Sequence, residues 1–193
     1  MAIYTNLTAK EADKHGLFRS SRLKASDVGR IYDLIVRDGE DKEIPVDNGV
    51  AVKIGNATGD GLQTRYATVA TVQDKVAIIG TPATVKSALT KEEAQEYHFF
   101  NKAGKISKAY EVRPDEAEIF GVAAYQFTTL VGSDTTKPAF GNFVVVDGKG
   151  GYKELASGEN VDTYGFVGKV YGFEVGTYET IVLIEVVKNE QLA

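Results

Sequence analysis

Beyond residue 30, apolar positions fall mostly two apart along the chain, the period of a strand with one buried face. Ile31, Leu34, Ile35 and Val36 form a first run that ends at Asp38-Gly39. After the turn Asp47-Asn48-Gly49, residues Val50, Val52 and Ile54 share one face of a second strand. Gly55, Gly59 and Gly61 then open a polar loop that reads as a hairpin connection. Two further strands are predicted over 66–72 and 76–79 around Gln73-Asp74-Lys75, the second stopped by Gly80-Thr81-Pro82. The strand period returns in the second half. Residues 119–127 alternate small and large, 143–146 lead into the turn Asp147-Gly148, and 166–187 hold two strands broken at Gly176. Over 180–187 both faces are largely apolar, which predicts a central strand. Gly165, Gly168, Gly172 and Gly176 recur nearly every fourth residue, a spacing that marks bulges and bends in a strand.

One segment carries helix signals instead. Thr90 stands three residues before Glu93 as a capping box and Gly104 occupies a C-terminal cap position, predicting a helix over 91–102. Its buried stripe comes from Tyr97 and Phe100, or from Phe99 with Asn101 turned outward. Residues 1–30 have scattered charge and hydroxyls with Leu17, Phe18, Leu23 and Val28 as isolated apolar points, which predicts an extended arm with at most one short helix, ordered against its own body or a neighbour. The expected fold class is mainly β: two β-sandwich or barrel-like units joined by one short helix, with an extended N-terminal arm. The expected bounds are an arm at 1–30, a first β unit at 31–82, a helical connection at 83–110 and a second β unit at 111–193.

Composition narrows the chemistry. A chain of 193 residues can bury roughly 70% of the surface its unfolded state exposes, so no metal or disulfide staple is needed. The absence of cysteine removes disulfides, thiolate zinc sites and cysteine nucleophiles together. The net charge of -5 is uneven: residues 1–30 hold six Lys or Arg against three acids, and residues 111–193 hold six against thirteen. An acidic body disfavours nucleic acid, while a basic arm suits a negatively charged surface. No export signal is visible at the amino end, and no run approaches the ~18 apolar residues of a membrane span. The sequons at Asn6 and Asn56 therefore carry no expected glycan.

Candidate reactive groups lack partners in the sequence. His15 and His98 stand far apart, each without a second imidazole or a local ligand motif. No serine sits in Gly-X-Ser-X-Gly. The loop 55–61 lacks the Gly-Lys-Ser/Thr ending of a phosphate cradle. In the acidic run 38–43, Lys42 interrupts the alternate oxygens that calcium requires and Ile44-Pro45 ends it, so a solvated turn is expected. Carboxylate pairs for glycoside hydrolysis are assembled from distant strands, and the thirteen late acids leave that option open. Arg19, Arg22, Lys24 and Arg30 form no basic stripe interleaved with aromatics. The expectation is a non-enzymatic protein without cofactor or metal that works by binding other protein surfaces.

Three stretches in order carry a resemblance: Asp47-Asn48-Gly49-Val50-Ala51-Val52-Lys53-Ile54-Gly55, Lys75-Val76-Ala77-Ile78-Ile79-Gly80-Thr81-Pro82, and Phe100-Asn101-Lys102-Ala103-Gly104-Lys105-Ile106-Ser107-Lys108-Ala109-Tyr110. Across about residues 44–187 the chain resembles head decoration or cement proteins, virion structural proteins of tailed phages that infect Gram-positive bacteria. The resemblance implies a β module made in the host cytoplasm that sits on the assembled shell, bridges major capsid protein subunits and offsets internal pressure. It supplies no active-site residues. Capsid contact is expected from an apolar anchor beside cations in the arm, Phe18 with Arg19, Arg22 and Lys24. A tail or tail-tip component and a carbohydrate-binding β module stay open as alternatives, although ten tyrosines without tryptophan disfavour sugar stacking. Homo-oligomerisation also stays open.

Overall fold

The computed structural model describes residues 15–23, 30–59, 63–82, 99–132, 134–175 and 179–193. Among them the chain is mainly β. Five strands, β2 (Ile31–Arg37), β3 (Ala51–Ala57), β4 (Thr64–Val69), β5 (Ala77–Ile79) and β6 (Ser107–Glu111), close into a barrel in the order β2-β4-β3-β5-β6. The β2–β4 pair is parallel and the other pairs are antiparallel. A seven-stranded sheet is built from β1 (Phe18–Arg22), β7 (Ile119–Ala123), β8 (Phe127–Thr129), β9 (Phe143–Val146), β10 (Tyr152–Glu154), β11 (Phe166–Val175) and β12 (Thr180–Asn189). Its order is β1-β7-β12-β11-β9-β10-β8. Helical turns among the described residues are short 3-10 turns such as Ala124–Gln126 and Val161–Thr163. None of the described helices is long and apolar enough to cross a membrane.

The period of two explains how the barrel fills. Leu34 and Val36, Val50 and Val52, Ala77 and Ile79, and Ala109 point inward as one cluster, with Ile54 packed against it. Their neighbours point the other way. Ala51 and Ile78 join Phe120, Val122, Val144, Val146, Tyr152, Phe166, Val182, Ile184 and Val186 in a second core, where the barrel wall meets the sheet. β5 is thus buried on both faces, and so is β12, whose Ile181 and Leu183 pack on the far face with Leu17 and Ala123. Polar anchors also join the two bodies. The Asn189 side chain accepts from Val76 N at 2.8 Å and donates to the Val76 and Val112 carbonyls, while Tyr152 Oη donates to Gly49 O at 2.9 Å.

The glycines of β11 act as the sequence predicts. The register shifts at Val167/Gly168 and at Val170/Gly172. A Cβ on Gly168 would meet Ile184 Cγ2 at 2.3 Å, so this strand can pack closely on β12 only with glycine there.

Two expectations change. The stretch 83–110, expected as a helical connection, ends in β6, which closes the barrel between β5 and β2. Of the expected helix, 91–98 lie outside the described residues, and 99–102 are not helical. Asn101 is buried instead of outward, bridging to Val46 and donating its side-chain amide to Val46 O at 3.0 Å and to Asn48 Oδ1 at 3.2 Å. These bonds satisfy backbone and side-chain polar groups of the 46–48 segment that leads into β3. The described part of the arm is extended and ordered against its own body, one of the two expected settings: β1 is the edge strand beside β7, and Arg30 is buried against Glu118.

Candidate interaction surface

The start of β1 is pinned from three sides. Gly16 N donates to Asp47 Oδ2 at 3.1 Å, Leu17 N donates to Gln126 Oε1 at 3.0 Å, and Tyr125 Oη donates to the His15 carbonyl. His15 Nδ1 lies 2.8 Å from Asp47 Oδ1, and its ring stacks on Phe100 with centroids 4.9 Å apart. Gln126 is fully buried and also takes Ala123 N at 3.0 Å while giving its amide to Asn48 O at 3.0 Å. One amide therefore ties the arm, the 47–49 turn of the barrel and the end of β7. Gly49 holds φ +81, and a Cβ there would strike that amide at 2.4 Å.

This pinning decides where the expected contact residues go. Phe18 turns inward, its ring 5.3 Å from Tyr110 and 6.1 Å from Phe120, and packs against the shared core. Arg19 sits in register with Gly121. Arg22 reaches the surface: its guanidinium lies 6.0 Å from the Tyr171 ring centroid and 3.7 Å from Glu174 Oε1. Lys24 lies outside the described residues. The structure thus brings Arg22 together with residues of β11 and leaves Phe18 partly buried against the shared core.

The β11 residues add apolar surface. Tyr171 is the extra residue of the second bulge and stays 48% exposed, and Val175 is 90% exposed. Phe140 at 72% and Phe143 stand exposed in and beside the loop before β9. None of these four stands out in the sequence. Tyr171 carries the one available signal, an aromatic beside Gly172 that breaks the alternation of its strand.

Other polar groups cluster at the barrel wall. A groove of about 640 Å³ is lined by Tyr32, Asp33, Arg65, Lys108 and Tyr110 among others, and a neighbouring one of about 320 Å³ shares Tyr32 and Arg65 with it. In the second, Glu111 accepts from Tyr32 Oη at 3.0 Å and from Lys75 Nζ at 2.9 Å, with Arg113 Nε 3.5 Å away. Burial pushes the Glu111 carboxyl up, but these donors and cations outweigh it and hold its pKa below the usual value. The Tyr32 hydroxyl is raised by its own burial and by Glu111. Asp74 behaves like Glu111, since the Lys53 and Thr71 hydrogen bonds outweigh its burial and lower it. These carboxylates are saturated by donors, an arrangement that fixes side chains along the barrel wall. In the acidic turn, Asp38 Oδ1 accepts from Glu40 N and Lys42 N, both at 2.9 Å, folding the turn on itself. Among the described residues no group of His, Asp and Glu forms a metal-binding cluster. No family model matches the chain, and no curated protein or solved structure matches it.

Proposed function

We propose that this chain is a non-enzymatic virion structural protein, a head decoration or cement protein that binds the major capsid protein in its assembled shell. The virion reading rests on the sequence resemblance, and with it the capsid surface as the working location. The observation that favours a docking role is the exposed group at β1 and β11, Arg22 beside Tyr171 and Glu174 with Val175 largely in solvent. Tyrosine and arginine are the side chains that most often anchor protein interfaces. Both stand on strands already paired in a sheet, so ordering them on a partner costs little entropy.

Co-sedimentation tests this reading. Purified chain mixed with assembled shells should bind far better than to free capsid subunits, because a bridging site is completed only by neighbouring subunits. The double variant Arg22→Glu, Tyr171→Ala should lose at least about tenfold in shell affinity. Equal affinity for free subunits and shells, or unchanged binding by the variant, would contradict the proposal.

A further inference from the structure

We infer that Asn48 is a one-way modification site: it converts spontaneously to aspartate or isoaspartate only when the 47–49 turn opens, and the product keeps the turn from closing again. In an Asn-Gly pair the glycine backbone nitrogen can attack the neighbouring carboxamide, and the missing Cβ leaves that approach unhindered. Gly49 N gives its proton to hydroxide, and its lone pair forms a bond to Asn48 Cγ. The Cγ–Nδ2 bond then breaks, and the nitrogen leaves as ammonia by taking a proton from water, which regenerates hydroxide. Water opens the resulting cyclic imide at either carbonyl, leaving a carboxylate on a normal main chain or on one rerouted through the side-chain carbon.

The closed turn holds both reacting groups apart from this chemistry. Gly49 N is committed to Ile79 O at 2.7 Å. The Asn48 carboxamide is clamped on the backbone of Thr81: Nδ2 donates to Thr81 O at 2.8 Å and Oδ1 accepts from Thr81 N at 3.0 Å, a pairing that fixes which atom is nitrogen. Asn101 adds a second donor to Oδ1 at 3.2 Å. The carbonyls are held as well, Asn48 O by Gln126 Nε2 at 3.0 Å and Gly49 O by Tyr152 Oη at 2.9 Å. Asn48 is 6% exposed, which keeps hydroxide and water from it. Cyclisation therefore requires Gly49 N to leave Ile79 and the carboxamide to leave Thr81, a local opening where the barrel meets β1 and the sheet. The product does not fit the closed turn. An aspartate at 48 would put a carboxylate oxygen where Nδ2 stood, 2.8 Å from Thr81 O, so that two acceptors face each other in a buried site. An isoaspartate would also reroute the main chain just before Gly49 N, which must meet Ile79 O. The reaction is thus confined to opened chains and removes them from the folded pool. It needs no shell and stands apart from the proposed function.

Peptide mapping of the full chain by mass spectrometry tests this. At mildly alkaline pH, conversion at Asn48 should be at least about a hundredfold slower in the folded chain than in the same chain unfolded in guanidinium chloride, because only the opened fraction reacts. Gln126→Ala, which removes the donor to Asn48 O, should speed conversion in the folded chain by at least about tenfold and leave the rate in denaturant unchanged. A third measurement needs only the wild type. Chains held in denaturant until conversion is partial, then diluted and separated by size exclusion, should carry intact Asn48 in the folded fraction and the modified residue in the unfolded one. Equal rates in the folded and unfolded chain, a folded Gln126→Ala chain that converts no faster, or modified Asn48 spread evenly over both fractions would each overturn the inference.

Discussion

Glu154 accepts the backbone N–H of Ala139 at 2.9 Å, one residue before the most exposed aromatic ring of the described residues, Phe140. The same buried carboxylate takes Val131 N at 2.8 Å and the Asn142 amide at 2.6 Å, so a single side chain of β10 gathers both ends of the loop between β8 and β9. Burial raises its pKa, but the backbone donors of Ala139 and Val131 and the Asn142 amide outweigh burial and lower it.

A depressed carboxylate pKa in the folded state means that Glu154 stabilises the fold fully above the unfolded value of about 4.3 and loses that contribution as pH falls through its lower folded value. Asp74 and Glu111 shift in the same direction. Stability from urea titration should therefore decline with acid below about pH 4.3. Glu154→Gln should be about 1–3 kcal/mol less stable at neutral pH and show a shallower acid slope. An unchanged slope would show that Glu154 does not hold the loop.

Arg30 and Glu118 form a bidentate pair at 2.6 and 3.2 Å with both side chains buried. Removing one partner leaves a buried charge, so Arg30→Met should cost about 3–5 kcal/mol in a denaturant titration. Arg30→Met with Glu118→Leu should recover part of that. Full recovery is not expected, because Arg113 N would lose its 2.8 Å acceptor on Glu118.

Gln126→Ala should act at a distance from its own 3-10 turn. Leu17 N and Ala123 N would lose their acceptor and Asn48 O its donor, leaving three backbone groups unmet in the interior. The expected loss is on the order of 3 kcal/mol, with faster hydrogen exchange in β1. Protection that stays unchanged in β1 would mean that the amide is not what pins the arm.

Arg22→Glu separates binding from folding. Its pair with Glu174 is 3.7 Å long between side chains that are both nearly half exposed, so stability should change by less than about 0.5 kcal/mol while shell binding falls. A comparable loss of stability would make Arg22 a structural residue.

Much of the strand layout is legible in the chain, for a physical reason. Val50, Val52 and Ile54 alternate because one face of β3 fills the barrel, and 180–187 is apolar on both faces because β12 lies between two cores. β6 is hard to see, since the buried face of Ser107, Lys108, Ala109, Tyr110 and Glu111 carries one apolar residue, Ala109, between the polar Ser107 and Glu111. Phe18 misleads for a related reason. Standing alone among polar residues it reads as a surface anchor, but its partners Tyr110 and Phe120 come from remote segments. The surface at Arg22 was half visible, as a cation near the amino end. Its other half, Tyr171, depends on a bulge that only the pairing of β11 with β12 creates.

Electron cryo-microscopy of assembled shells mixed with this chain addresses the docking claim most directly. Docking through this face should give ordered density at sites between capsid subunits, with the end of the sheet that carries Arg22, Tyr171 and Val175 against the shell. Shells that carry no added density, or density in which the five-stranded barrel faces the shell and that end of the sheet points into solvent, would contradict it.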